Sequence, residues 1–233
     1  MEDFDLASLA AYLHQMPAQI ARLAERGKLP GRRVGGEWVF SRPEIHHWLE
    51  DRIGVSDDEE LAGIETNLER ADKTGVEVTL GELLPLEAIA IPLQARTRRK
   101  VITAMCNLAA DTGMLWDPEK MAEAVTAREN LQSTALDIGV ALLHPRRPQA
   151  SILSQAVVSL GITAAGIPFG GSHGQLTDVF FLLGSTSDQE HLRLLARLSR
   201  VISDPDLLAE LRAADDPQKA RRLITDRDLQ LSE

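Results

Sequence analysis

The sequence predicts an α/β protein in two pieces, a small helical module with one hairpin and a larger domain built on a covered sheet. Three observations predict it. Residues 1 to 54 carry short amphipathic helical patterns around a Gly-Gly turn. Residues 55 to 77 are strongly acidic and break that pattern. From residue 78, long helical patterns alternate with nearly continuous apolar runs, the mark of strands buried on both faces. With 233 residues and 44% hydrophobic content, the chain has material for a small and a medium domain, each with a core.

Leu6, Leu9, Ala10 and Leu13 recur at helical spacing behind Asp5, which predicts a first helix capped by that residue. A second helix starts at Pro17, buries Ile20, Leu23 and Ala24, and stops at Gly27. "RRVGGEWVF" reads as two short strands about Gly35 and Gly36. Ser41 and Glu44 form a capping box for a third helix that buries Ile45, Trp48 and Leu49. Trp38 and Trp48 read as core residues. His46 and His47 are adjacent, so they point to different helix faces, which argues against a metal pair.

In the second piece "EAIAI" reads as a strand and "RTRRKVITAMCNLAADTG" as a helix closed by Gly113. "DPEKMAEAVTARE" reads as a helix capped by Asp117 with Pro118 at its first position. "IGVALL", "AVVSLGI" and "DVFFLLG" follow as buried strands. Three helices close the chain, starting at Ser187, at the Ser203–Pro205 corner and at Asp216. "GIPFGGSHG" lies between strands and reads as a loop, with His173 a loop residue.

Composition narrows the function classes. The single cysteine, Cys106, cannot form an internal disulfide and sits in an apolar helical run, so it reads as a packed thiol in a reducing compartment. The acidic N-terminus and the lack of a long apolar run predict a cytoplasmic protein without membrane insertion. The net charge of −10 argues against a chain that coats nucleic acid. That charge is uneven, however. Residues 26 to 42 hold Arg26, Lys28, Arg32, Arg33 and Arg42 against Glu37, a local balance of +4, whereas residues 55 to 77 balance at −6. Like charges extend a chain, which places a linker at 55–77 between a domain at 1–54 and one at 78–226, with a tail at 227–233. No Walker loop, dinucleotide fingerprint, zinc spacing or partnered cysteine nucleophile is found, so no cofactor is expected. What remains is Arg128, His144 ending "GVALLH", and His191 in the first turn of a helix opened by "SDQE".

Two resemblances give these residues a context. "LAAYLHQMPAQIARLAERGKLPGRRVGGEWVFSRPEIHHWLE" resembles the excisionase and MerR type of winged helix-turn-helix. That resemblance implies a second helix in the major groove of duplex DNA, with Gln19 and Arg22 toward base edges and Arg26, Lys28, Arg32 and Arg33 toward phosphates. A single small module implies a second copy of the chain as partner on a two-half-site operator. The wing carries Gly36, Glu37 and Val39 where that family often has basic residues. The stretches "LGELLPLEAIAIPLQARTRRKVITAMCNLAADTGMLWDPEKMAEAVTARENLQST", "GVALLH", "HGQLTDVFFLLG" and "DQEHLRLLARLSRVISDPDLLAELRAA" resemble the type 2 IIA domains of the bacterial phosphotransferase system. This implies a three-layer α/β domain with a mixed sheet, His144 as phosphoryl acceptor, and His191 and Arg128 as its supports. It also implies a histidine phosphocarrier protein as donor.

The residue types suit that chemistry. One nitrogen of a neutral imidazole attacks phosphorus while the other is held, and an arginine fork stabilises the phosphoryl oxygens. The sequence departs from the family in reading Leu143, His144, Pro145 where Pro-His-Gly is usual. Pro145 has no N–H to offer a phosphoryl oxygen, a loss that Arg146 and Arg147 are placed to offset by charge. The sequence is read as a DNA-binding regulator whose IIA-like domain senses phosphotransferase status, with two alternatives: a phosphocarrier whose first module docks a partner, and an interaction protein with an inactive histidine.

Overall fold

The computed structural model describes residues 3–13, 15–53, 61–62, 79–171 and 174–232. The chain forms two compact units, one of Met1–Val76 with Leu195–Arg200 and one of Glu77–Leu194 with Val201–Glu233. His173 and nearly all of the acidic stretch 55–77 lie outside the described residues.

In the first unit β1 (Phe4–Asp5), α1 (Leu6–Tyr12), α2 (Pro17–Glu25), β2 (Arg32–Val34), β3 (Glu37–Phe40) and α3 (Arg42–Ile53) follow in order. Asp5 caps α1 reciprocally: its carboxylate accepts from the Ser8 amide at 2.7 Å and its own amide donates to the Ser8 hydroxyl at 3.0 Å. The β2–β3 turn has φ of 63° at Gly35 and 92° at Gly36, the doubly left-handed pair that a tight hairpin needs and that only glycine adopts freely. Sequence reading missed β1, which pairs antiparallel with β3 and sets Phe4 opposite Phe40. Two residues are too short to show a period, and their pairing depends on Val39 and Phe40, far along the chain. Leu9, Ile20, Phe40 and Ile45 form the fully buried centre. Trp48 packs only in part and donates its indole N–H to the Lys28 carbonyl at 2.7 Å, tying α3 to the turn after α2. His46 meets the Tyr12 hydroxyl at 3.2 Å, whereas His47 faces Glu50 at 3.7 Å, so the two rings diverge as expected.

The second unit comprises α4 (Leu80–Leu83), a 3₁₀ turn (Leu86–Ala88), β4 (Ile89–Ala90), α5 (Arg98–Asp111), α6 (Pro118–Leu131) and β5 (Val140–Leu143). β6 (Val157–Pro168), β7 (Leu176–Gly184), α7 (Asp188–Ile202), α8 (Pro205–Arg212) and α9 (Pro217–Gln230) complete it. The sheet runs β4-β6-β7-β5, with β6 and β7 antiparallel and both outer strands parallel to their neighbours, so it is mixed. All four residues of β5 are buried, as the unbroken apolar run requires of a strand covered on both faces. On one face Ala141, Leu143, Phe180 and Leu182 pack with Met105 and Cys106 of α5 and Met121 and Val125 of α6. Burial pushes the Cys106 thiol up to about 12, in keeping with a packed and unreactive residue. "EAIAI" yields only the two residues of β4, because a 3₁₀ turn takes Leu86–Ala88 and Pro92 cannot donate to a ladder. β6 is longer than expected. A register shift between Ile162 and Ile167 carries it through Gly166 to Pro168, into the segment read as a loop.

Candidate functional site

His144 directly follows β5, and Leu142, Leu143, His144 and Pro145 are all buried. Its Nδ1 lies 2.8 Å from the Leu142 carbonyl oxygen. A carbonyl only accepts, so in the neutral ring Nδ1 carries the proton and Nε2 the lone pair. His191 stands in the first turn of α7. That turn is capped by Ser187, whose hydroxyl accepts from the Glu190 amide at 3.2 Å, while the Glu190 carboxylate accepts from the Thr186 amide at 2.7 Å. The two imidazoles meet with centroids 5.0 Å apart at 54°, and a nitrogen of each lies within 4.8 Å of the other. The structure therefore brings together two of the three residues singled out from the sequence. The two rings are 3% and 4% exposed.

Arg128 sits in the last turn of α6, 5% exposed, and donates from Nη1 to the Gln132 carbonyl at 2.9 Å, closing its own helix end. Arg146 and Arg147 are exposed beyond the strand end. Sequence reading missed Glu129, the next residue after Arg128. It is 2% exposed and accepts from the Thr134 amide at 3.2 Å, from the Thr134 hydroxyl, and from Arg98 Nη2 at 2.9 Å. A signal was present. The buried stripe of α6 runs Met121, Val125, Arg128, Glu129, so two charged residues fall on an apolar face where they need partners.

In the first unit Gln19, Arg22 and Arg26 are exposed and recur at steps of three and four residues, which puts them on one stripe of α2 and its C-cap, while Ile20 and Ala24 are buried. Gln19 is already engaged, since its carbonyl oxygen accepts from the Met16 amide at 3.2 Å and closes the helix start. Lys28, Arg32 and Arg33 are exposed. Arg32 pairs with Asp3 at 2.9 Å; Arg33 reaches Glu25 at 3.5 Å and lies over the Trp38 ring at 4.9 Å.

By architecture this is an α/β protein with a helix-turn-helix module at its N-terminal side. Residues 82–227 match the family described as phosphoenolpyruvate-dependent sugar phosphotransferase system, EIIA 2, and the chain belongs to that family. Residues 4–53 match a helix-turn-helix domain. The nitrogen regulatory protein of Bradyrhizobium diazoefficiens is 31% identical over 59% of this chain and 88% of its own length. The fructose-specific EIIA component of Haloferax volcanii is 24% identical over 63% of this chain and 95% of its own length. The fructose-specific EIIABC component of Bacillus subtilis is 26% identical, and the match spans only 23% of that protein. Among solved structures, the nitrogen regulatory protein IIA-Ntr of Neisseria meningitidis aligns with a TM-score of 0.53 at 24% identity, over 63% of this chain and 99% of that one. IIA mannitol of Escherichia coli aligns at 0.54 and 18% identity, over 60% and 97%. These structures share the fold of the second unit. No helix among the described residues is long and apolar enough to cross a membrane.

Proposed function

We propose that this chain is a DNA-binding regulator whose IIA domain accepts a phosphoryl group on His144 from a histidine phosphocarrier and thereby senses phosphotransferase status. The observation that carries the acceptor role is the hydrogen bond from Nδ1 to the Leu142 carbonyl, which fixes the tautomer and leaves Nε2 as the nucleophile. Nε2 forms a P–N bond as the P–N bond of the donor breaks, its electrons returning to the donor imidazole. His191 at a capped helix start and Arg128 support the transferred anion. The exposed stripe of Gln19, Arg22 and Arg26 with Lys28, Arg32 and Arg33 supports the DNA-binding half, as does the excisionase and MerR resemblance of the module. A second copy of the chain on a paired half-site completes the reading, which places the protein in the cytoplasm.

The names of the relatives favour a second reading, a phosphocarrier that relays phosphate onward with the first module as a docking domain. The Haloferax volcanii relative is a fructose-specific EIIA component, and one solved neighbour is a complex of IIA mannitol with phosphorylated IIB mannitol. Incubation with phosphoenolpyruvate, enzyme I and a histidine phosphocarrier, read by intact mass, tests the acceptor role. The wild type gains an acid-labile, base-stable phosphate and His144→Gln gains none. Duplex DNA titrations of both forms then separate the readings. Salt-sensitive affinity that changes with phosphorylation supports the regulator, and its absence alongside phosphate uptake supports the relay.

A further inference from the structure

We infer that Glu129 is a positioning residue for the His144 acceptor, acting through the Gln132–Thr134 turn; the inference rests on His144 as the functional histidine. The Glu129 carboxylate is buried and takes three donors: Arg98 Nη2 at 2.9 Å, the Thr134 amide at 3.2 Å, and the Thr134 hydroxyl. Arg98 also donates to the Glu129 main-chain carbonyl, so one guanidinium holds both the side chain and the backbone at the end of α6. A buried carboxylate with a cation on one side and two donors from one residue on the other defines where that residue sits.

Thr134 in turn sets the strand. Its carbonyl accepts from the Leu142 amide at 3.3 Å, Ala135 bridges antiparallel to Ala141, and the Leu136 amide donates to the Val140 carbonyl at 2.8 Å. Residues 134–136 thereby cover the open edge of β5. Leu142 is held from that edge through its amide, and its carbonyl receives the His144 Nδ1 proton. The same turn supplies the Gln132 carbonyl that Arg128 caps at 2.9 Å. One buried carboxylate thus anchors the segment that fixes both the acceptor tautomer and the arginine beside it in sequence. A purely structural ion pair would hold the helix end without any consequence for which imidazole nitrogen bears the proton.

The test uses the full chain and two readouts. Long-range nitrogen–proton NMR of the imidazoles, assigned with His144→Gln, reports the tautomer without any phosphoryl donor. The wild type is expected to show the Nδ1–H form of His144. Glu129→Gln and Thr134→Val should shift it toward a mixture with the Nε2–H form, while Thr134→Ser, which keeps the hydroxyl, restores it. With the phosphocarrier supplied, the turnover of phosphate uptake should fall about ten- to a hundredfold in Glu129→Gln and Thr134→Val, with the KM for the donor unchanged. Should Glu129→Gln not fold, judged by circular dichroism, the Thr134→Val and Thr134→Ser pair decides. A folded Glu129→Gln or Thr134→Val protein with the wild-type tautomer overturns the inference. A wild type that takes no phosphate overturns the acceptor function, and the tautomer readout still decides the positioning role.

Discussion

Replacing Asp3 with asparagine is expected to strengthen binding of the chain to duplex DNA. Arg32, one of the residues assigned to phosphates, is held by Asp3 at 2.9 Å, and the two side chains are 63% and 35% exposed. A phosphate contact must therefore break this pair or share it. Exposed pairs are worth about 0.2–1 kcal/mol. Removing the carboxylate also lifts its repulsion with the DNA backbone, roughly 0.2 kcal/mol at about 8 Å in water once salt screening is included. Together the gain is about 0.4–1.2 kcal/mol, or about two- to sevenfold in Kd. Fluorescence anisotropy titrations at several salt concentrations measure it. Arg32→Ala should lower the magnitude of the slope of log K against log salt by about 0.9, and in that background Asp3→Asn should retain only the small repulsion term. Unchanged or weaker binding by Asp3→Asn would show that Arg32 does not meet phosphates and that the pair only ties β1 to the wing.

Three further outcomes follow from the structure. Gly139 has φ of 78°, and a Cβ there would lie 2.8 Å from Arg212 Nη2, which donates to the Ile138 carbonyl and pairs with Asp178. Gly139→Ala should cost about 2–3 kcal/mol from backbone strain and displaced bonds, read as a lower urea midpoint, and a loss under about 0.5 kcal/mol would refute this account. The Cys106 thiol is raised from 9.0 to about 12, so its contribution to stability is whole below pH 9 and is lost as pH rises toward 12. In that window the unfolded thiol ionises and the native one does not, about 1.4 kcal/mol per pH unit; Cys106→Ala should flatten the alkaline decline, and an identical slope in both proteins would contradict it. Arg22→Ala should relax sequence preference in a panel of operator variants while Arg26→Ala weakens binding to all of them alike, and the reverse pattern would exchange their roles.

Element starts were legible because their signals are local. Asp5, Asp117 and Asp216 each accept from a backbone amide three residues on, Pro17 and Pro118 fix the backbone of a first helical position, and each helix begins where these residues predict. The hairpin was legible for the same reason, since two adjacent glycines determine the turn. β1, the shortened β4 and the extension of β6 were not, because a strand exists by pairing with a distant partner and a short segment carries no period of its own.

The candidate site divides along the same line. The sequence by itself determined that a histidine ends a buried strand, that another opens a capped helix, and that an arginine precedes the strand, since each is a statement about one local pattern. Only the tertiary structure decided that the two rings meet at 5.0 Å, that the Leu142 carbonyl selects the tautomer, that both rings are buried, and that Glu129 holds the turn against Arg98. The physical reason is range. Caps and turns act within a few residues along the chain, whereas ring contact, burial and a buried carboxylate's partners depend on segments that only the packed sheet and its helices bring within a few ångströms.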